Sequence, residues 1–204
     1  MPTAPDSNGV MRLFVAVVPP DAGLAELEGA IAPLREAAPE LRWTGPASWH
    51  LTLAFLGEVR EEVLPDLQAR LERAARRHPP QRLAIAGGGA FPSARRAQVL
   101  WAGFSADDRA LGALADSVAA GARRAGAPPP GQHRKFRAHL TLARCRAPAD
   151  VSKLSLSLAG FAGTGWTATS IDLIRSELSS GRPRYEDLAA WPLQGRPDQS
   201  RSST

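Results

Sequence analysis

Residues 12–18 (RLFVAVV) form a short apolar run stopped by Pro19-Pro20, the pattern of a buried strand. Asp21 is placed to cap a helix behind it, because Leu24, Leu27, Ile31 and Leu34 recur at three- and four-residue spacing. Residues 43–46 read as a turn, and residues 50–56 (HLTLAFL) as a strand closed by Gly57. A second helix is expected over about residues 61–77, with Val63, Leu64, Leu67 and Leu71 inside a charged face. Its Pro65 fits only in the first turn. Two strand-like runs, 82–86 and 98–104, are joined by Gly87-Gly88-Gly89 and Phe91-Pro92. A third helix over about residues 107–125 carries Leu111, Leu114 and Val118 on one stripe. Three consecutive prolines keep residues 126–132 out of any helix.

Residues 138–145 (AHLTLARC) are strand-like again. Residues 164–178 read as one long strand, followed by a turn at Gly181 and a short strand near Tyr185. Polar ends, 1–10 and 194–204, read as a loose arm and tail around one unit spanning 11–193. Hairpin-like pairs interrupt the alternation of strands and helices. That argues for an α+β fold with mostly antiparallel sheet, not a doubly wound parallel one.

Composition narrows the class. With 25 basic and 20 acidic residues the formal net charge is +5. Lys135 and Lys153 are the only lysines, so arginine supplies nearly all the positive charge. Such a bias, alongside abundant Ala, Gly and Pro, weakens the basic balance as a nucleic-acid signal, although it suits an anionic partner. The early apolar run 13–18 is far too short to span a bilayer. No charged-then-apolar leader with a cleavage site is visible, so secretion is not expected. A single cysteine, Cys145, can form neither an intrachain disulfide nor a Cys-based metal cluster. The expectation is a cytoplasmic globular protein.

The chemistry is carried by a repeat. His-Leu-Thr-Leu-Ala occurs twice, at 50–54 and at 139–143. Each copy follows a strand–helix stretch, which suggests two halves of similar build related by a pseudo-two-fold axis. In a strand, residues i and i+2 share a face. His50, Thr52 and Ala54 then face one way, and Leu51, Leu53 and Phe55 the other. His139, Thr141 and Ala143 oppose Leu140 and Leu142 in the same manner. The leucine faces belong to the core; the opposite faces offer an imidazole, a hydroxyl and a small residue that leaves space.

Two such strands facing one groove suit phosphodiester chemistry. In-line displacement at phosphorus needs a base on one side and an acid on the other, and histidine does either near neutrality. Threonine hydroxyls can donate to the non-bridging oxygens, with nearby arginine stabilising charge. Two histidines without cysteine or a convincing carboxylate cluster make too few ligands for a metal, so no cofactor is expected. One His-x-Thr alone is usually a packing or surface feature. Two matched copies are harder to explain so, because the polar pair is costly on a buried face.

These motifs resemble the paired H-x-T-x signatures of the 2H phosphoesterase superfamily. Within it the chain is most similar to the bacterial RNA 2′,3′-cyclic phosphodiesterases, also called 2′-5′ RNA ligases. The resemblance runs from about Arg12 to Leu193 and includes RLFVAVVPP, HLTLAFLGEV, KFRAHLTLAR and SELSSGRPRYEDLAAWPL. It implies two α+β lobes, with mostly antiparallel sheets lining a central cleft and helices outside. It also implies metal-free opening of a 2′,3′-cyclic phosphate to a 2′-phosphate, with reversible 2′-5′ ligation. Carried over by position, His50 is the proton donor, His139 the proton acceptor, and Thr52 and Thr141 bind the phosphate. Relatives often have proline before the second histidine, where this chain has Ala138.

Arg144 matches an arginine that holds the nucleotide in relatives. Strict alternation puts it on the leucine face, so it reaches the cleft only if the strand bends or ends there. Phe14 could stack a base or serve the core. Tyr185 could line the cleft, but packing against Trp191 is favoured. Arg134, Lys135 and Arg137 form a basic run that is either a solvated loop or a contact for the RNA backbone. His78 reads as a helix C-terminal residue, His133 as an exposed linker residue, and Cys145 as a small strand residue. The expected partners are RNA ends or small cyclic nucleotides, bound by a monomer. Two competing readings are a relative acting on a small cyclic nucleotide such as ADP-ribose cyclic phosphate, and a non-catalytic RNA-binding module.

Overall fold

The computed structural model describes residues 9–130, 136–179 and 182–196. Nine strands and four α-helices are present among them, in the order β1 (Val10–Val17), α1 (Asp21–Ala37), β2 (Arg42–Trp43), β3 (Leu51–Arg60), α2 (Leu64–Arg76), β4 (Gln81–Phe91), β5 (Ala97–Ala106), α3 (Asp108–Arg124), β6 (Leu140–Ala149), α4 (Ser152–Ala159), β7 (Trp166–Ala168), β8 (Ser170–Ser179) and β9 (Arg182–Pro192). The strands form two antiparallel sheets, β3-β1-β8-β9 and β2-β6-β5-β4-β7. The fold is therefore α+β, with one copy of the repeat in each sheet. No helix among the described residues is long and apolar enough to cross a membrane.

The first half, β1-α1-β2-β3, and the later segment β5-α3-β6 share a plan, but their helices are exchanged. α1 follows a strand of the first sheet, yet Leu24, Leu27 and Ile31 bury against Leu100, Leu140 and Leu142 of the second. α3 follows a strand of the second sheet, yet Leu111, Leu114 and Val118 bury against Val15, Leu51 and Leu53 of the first. The 3-4 spacing of these leucines gives each helix one apolar stripe. Asp107 caps α3 by accepting hydrogen bonds from the N–H groups of Arg109 and Ala110, each at 3.0 Å. A cap of this kind contributes about 1 kcal/mol.

Several elements differ from the sequence pattern. Asp21 is already inside α1; Pro20 holds the cap position without a side-chain bond, so Asp21 serves as the acidic residue of the first turn. β1 begins at Val10, inside the stretch read as a loose arm. Arg42–Trp43 is a strand, not part of a turn, and pairs with β6. Gly57 does not end β3: its φ of +70° accommodates a bulge, and the strand runs on to Arg60. The three glycines lie within β4. A Cβ on Gly89 would strike the Trp101 indole lying across it. The long C-terminal run is two strands, because the chain leaves one sheet at Ala168 and enters the other at Ser170. α4 has no counterpart in the pattern.

Candidate active site

Both copies of the repeat share a burial pattern: Leu51, Leu53 and Ala54 are buried around a half-buried Thr52, and Leu140, Leu142 and Ala143 around a half-buried Thr141. The cause is a pair of matching β-bulges. On β3, Thr52 pairs with Ala16 and Ala54 with Val15, so Leu53 is the extra residue. On β6, Thr141 pairs with Trp101 and Ala143 with Leu100, so Leu142 is the extra residue. Two residues opposing one reverses the alternation beyond that point.

The bulge corrects the expected faces. Ala54 and Ala143 turn into the core beside the leucines. Phe55 and Arg144, the residues that follow, emerge on the faces of Thr52 and Thr141. Phe55 pairs with Phe14, and Arg144 with Val99. Arg144 therefore shares the face of Thr141, which strict alternation denied it. Each histidine stands one residue ahead of its strand.

His50 is set in aromatic surroundings. Its ring stacks on Phe14 with centroids 4.4 Å apart and meets the edge of Tyr185 at 5.3 Å. Phe14 is 3% exposed, so its ring supports the imidazole and offers no surface to a base. Tyr185 packs with Phe14 and Ile174, whereas Trp191 joins the cluster on the opposite side of the sheet. The favoured Tyr185–Trp191 packing is thus replaced by a position against His50. Beside this group opens a hollow of about 330 Å³ bordered by Val18, Trp49, His50, Tyr185 and Asp187.

His139 is held differently. Its Nδ1 lies 2.8 Å from the Arg137 carbonyl oxygen. A carbonyl can only accept, so Nδ1 carries the proton and the neutral ring presents Nε2 as a free acceptor. The ring meets Phe91 edge-on at 5.0 Å and Trp101 at 6.5 Å.

Burial, with the charge of His139 as the smaller cause, pushes the His50 pKa from 6.5 down to about 4. His139 is also lowered, chiefly by burial; its bond to the Arg137 carbonyl opposes this, and the charges of Arg137 and Arg144 add to it. Both imidazoles therefore favour the neutral form at pH 7. A nearby anion favours the charged form of an imidazole.

The two motifs are tied together through Thr44, on the segment between β2 and His50. Its hydroxyl donates to the Thr141 carbonyl at 2.7 Å and accepts from Trp49 Nε1 at 2.9 Å, while its N–H donates to the Leu142 carbonyl at 2.8 Å. Trp49 is 1% exposed and immediately precedes His50. Thr44 and Trp49 carry no chemical signature, and sequence reasoning passed over both. Phe91 and Trp101 were passed over as well, although Trp101 stands directly opposite Thr141.

The remaining candidates lie elsewhere. His78 follows α2 and bonds Ser117 of α3 at 2.8 Å, a structural link. Burial raises the Cys145 thiol pKa, which disfavours a nucleophilic thiolate. His133, Arg134 and Lys135 lie outside the described residues.

Comparison with known proteins places the chain in a family. The family model LigT-like phosphoesterase matches residues 17–101 and 105–185. An RNA 2′,3′-cyclic phosphodiesterase of Thermus thermophilus is 35% identical over 192 residues, covering 91% of each chain. The protein of that name from Escherichia coli is 33% identical over 147 residues, covering 71% of this chain and 75% of its own. Among solved structures, TT0787 of Thermus thermophilus superposes with a TM-score of 0.72 at 34% identity, covering 92% of this chain and all of its own. Escherichia coli LigT complexed with 3′-AMP gives 0.69 at 28% identity, covering 91% and 99%. With the family model spanning both histidine strands, the chain belongs to the LigT-like phosphoesterases.

Proposed function

We propose that this protein is an RNA 2′,3′-cyclic phosphodiesterase, acting without metal, that opens terminal 2′,3′-cyclic phosphates to 2′-phosphates and can run in reverse as a 2′-5′ ligase. The observation that carries the reading is the pair of histidines, each heading a strand with the same bulge, with the charge of His139 acting on His50. Relatives named RNA 2′,3′-cyclic phosphodiesterase cover most of the chain, and a related structure holds 3′-AMP. The acting unit is residues 11–193, as a cytoplasmic monomer.

In this reading the cyclic phosphate lies between the imidazoles. Thr52 and Thr141, at matched positions, donate to its non-bridging oxygens, and Arg144 adds positive charge on the second side. His139, with Nε2 free, takes the proton from the attacking water. His50, charged once the phosphate is bound, donates a proton to the departing 3′ oxygen. The P–O3′ bond breaks as the new P–O bond forms, which leaves the phosphate on the 2′ oxygen.

The test is incubation with an oligoribonucleotide ending in a 2′,3′-cyclic phosphate, followed by identification of the product end. A 2′-phosphate is expected. A 3′-phosphate would reverse which oxygen leaves, and no turnover would remove the assignment.

A further inference from the structure

Arg137 lies beside His139 in an unusual setting. Its Cζ is 5.0 Å from the Trp101 ring centroid and 5.6 Å from that of Phe91. The two rings are 5.3 Å apart and form a floor. That floor is built at some cost: Trp101 lies where only glycine fits beneath it, at Gly89, and its buried Nε1 has no hydrogen-bond partner. A phenylalanine would pack there without an orphaned donor. An indole, however, gives the strongest face for a cation. The guanidinium is held on the rings and remains exposed to solvent.

Two further arginines stand on the same sheet. Arg42 of β2 is directly opposite Arg144 of β6, and Arg144 is on the Thr141 face. Like charges facing each other across a strand pair are destabilising. None of the ion pairs among the described residues uses Arg42, Arg137 or Arg144. Three guanidiniums without carboxylates exceed what one cyclic phosphate, already served by two threonines, requires.

We propose that Arg137 on its Trp101–Phe91 floor, together with Arg42, binds a second phosphate of the substrate, the internucleotide phosphodiester next to the cyclic end, while Arg144 stays with the cyclic phosphate. The cleft would then prefer the end of an RNA chain to a single cyclic nucleotide. This rests on the function proposed above, and the test separates the two.

Binding of a 5′-fluorescein-labelled hexauridylate ending in a 2′-phosphate is measured by anisotropy across a salt series, so that no catalysis is involved. Losing one phosphate contact on a single strand should reduce the slope of log K against log salt by about 0.7. Arg137→Gln and Arg42→Gln should each do so, with roughly 10- to 100-fold weaker binding, the size of one charge-assisted hydrogen bond. Slopes equal to wild type in both variants would overturn the proposal. In parallel, kcat/KM is compared for the hexamer with a cyclic end and for uridine 2′,3′-cyclic phosphate. Arg137→Gln should lower the hexamer value by the larger factor. Equal losses on both substrates would mean that Arg137 acts only through His139, and would also overturn the proposal. A wild-type protein that cleaves neither substrate would refute the proposed function, while the salt slopes would still decide the phosphate site.

Discussion

The Thr44 hydroxyl bridges Trp49 and the Thr141 carbonyl, so the residue before one catalytic candidate is anchored to the strand that carries the other. A threonine does this because a single hydroxyl both donates and accepts. Thr44→Val keeps the shape but leaves the buried indole N–H unpaired, and that costs about 1–3 kcal/mol. The denaturation midpoint should fall accordingly. Turnover should fall too, since small misplacements of reacting groups are costly. Unchanged turnover at reduced stability would show that the bridge serves folding alone.

Removing either imidazole should remove most activity. His50→Ala and His139→Ala should each lower kcat by about 10²–10⁴-fold, the usual contribution of one proton-transfer partner. Thr52→Ala and Thr141→Ala should cost less, roughly 1.5–3 kcal/mol in transition-state stabilisation. The rate against pH should be bell-shaped, with its limbs belonging to the coupled pair. Near-normal turnover in either histidine variant would undo the two-histidine mechanism.

Chelation should leave the rate unchanged. Two imidazoles and two hydroxyls account for proton transfer and for charge on the phosphate, so no step calls for a Lewis acid. The measurement is turnover after prolonged dialysis against EDTA. Loss of activity that a divalent ion restores would contradict the mechanism.

Stability should depend on pH through His50. The unfolded imidazole takes up a proton near pH 6.5, but the folded one does so only at about 4. The unfolded state therefore binds more protons between these values, and stability falls as pH drops through that window, by at most about 3 kcal/mol. Asp172 has the opposite sign. Burial and the neighbouring Asp187 raise its pKa from 3.8 to about 6, so its contribution declines as pH rises from 3.8 to 6. Denaturant midpoints from pH 4 to 7.5 should show a flatter acid-side fall in His50→Asn. Asp172→Asn should gain stability at pH 7 and little at pH 4. A His50→Asn profile parallel to wild type would contradict the buried neutral imidazole.

The site was legible where chemistry repeats in the sequence. His50, Thr52, His139 and Thr141 announced themselves as a polar pair duplicated on apolar strands. The bulge after each threonine did not, because a period of two has no way to signal an extra residue. The alanine at the fifth position of each motif is the trace it leaves: Ala54 and Ala143 are core residues. α4 was hidden for a related reason. Leu154, Leu156 and Leu158 alternate like a strand, yet in the helix Leu158 is buried and Leu156 is 77% exposed. Trp166–Ala168 and Ser170–Ser179 read as one strand because both are β-rich, and the change of sheet between them depends on partners distant in sequence. Thr44 and Trp101 gain their meaning only from what they face.

The exchange of α1 and α3 has a consequence for how the molecule comes apart. Each sheet is covered by a helix that the other sheet's strand delivers, so neither layer can lose its order while the other keeps a complete core. Melting should be a single cooperative event despite the two sheets.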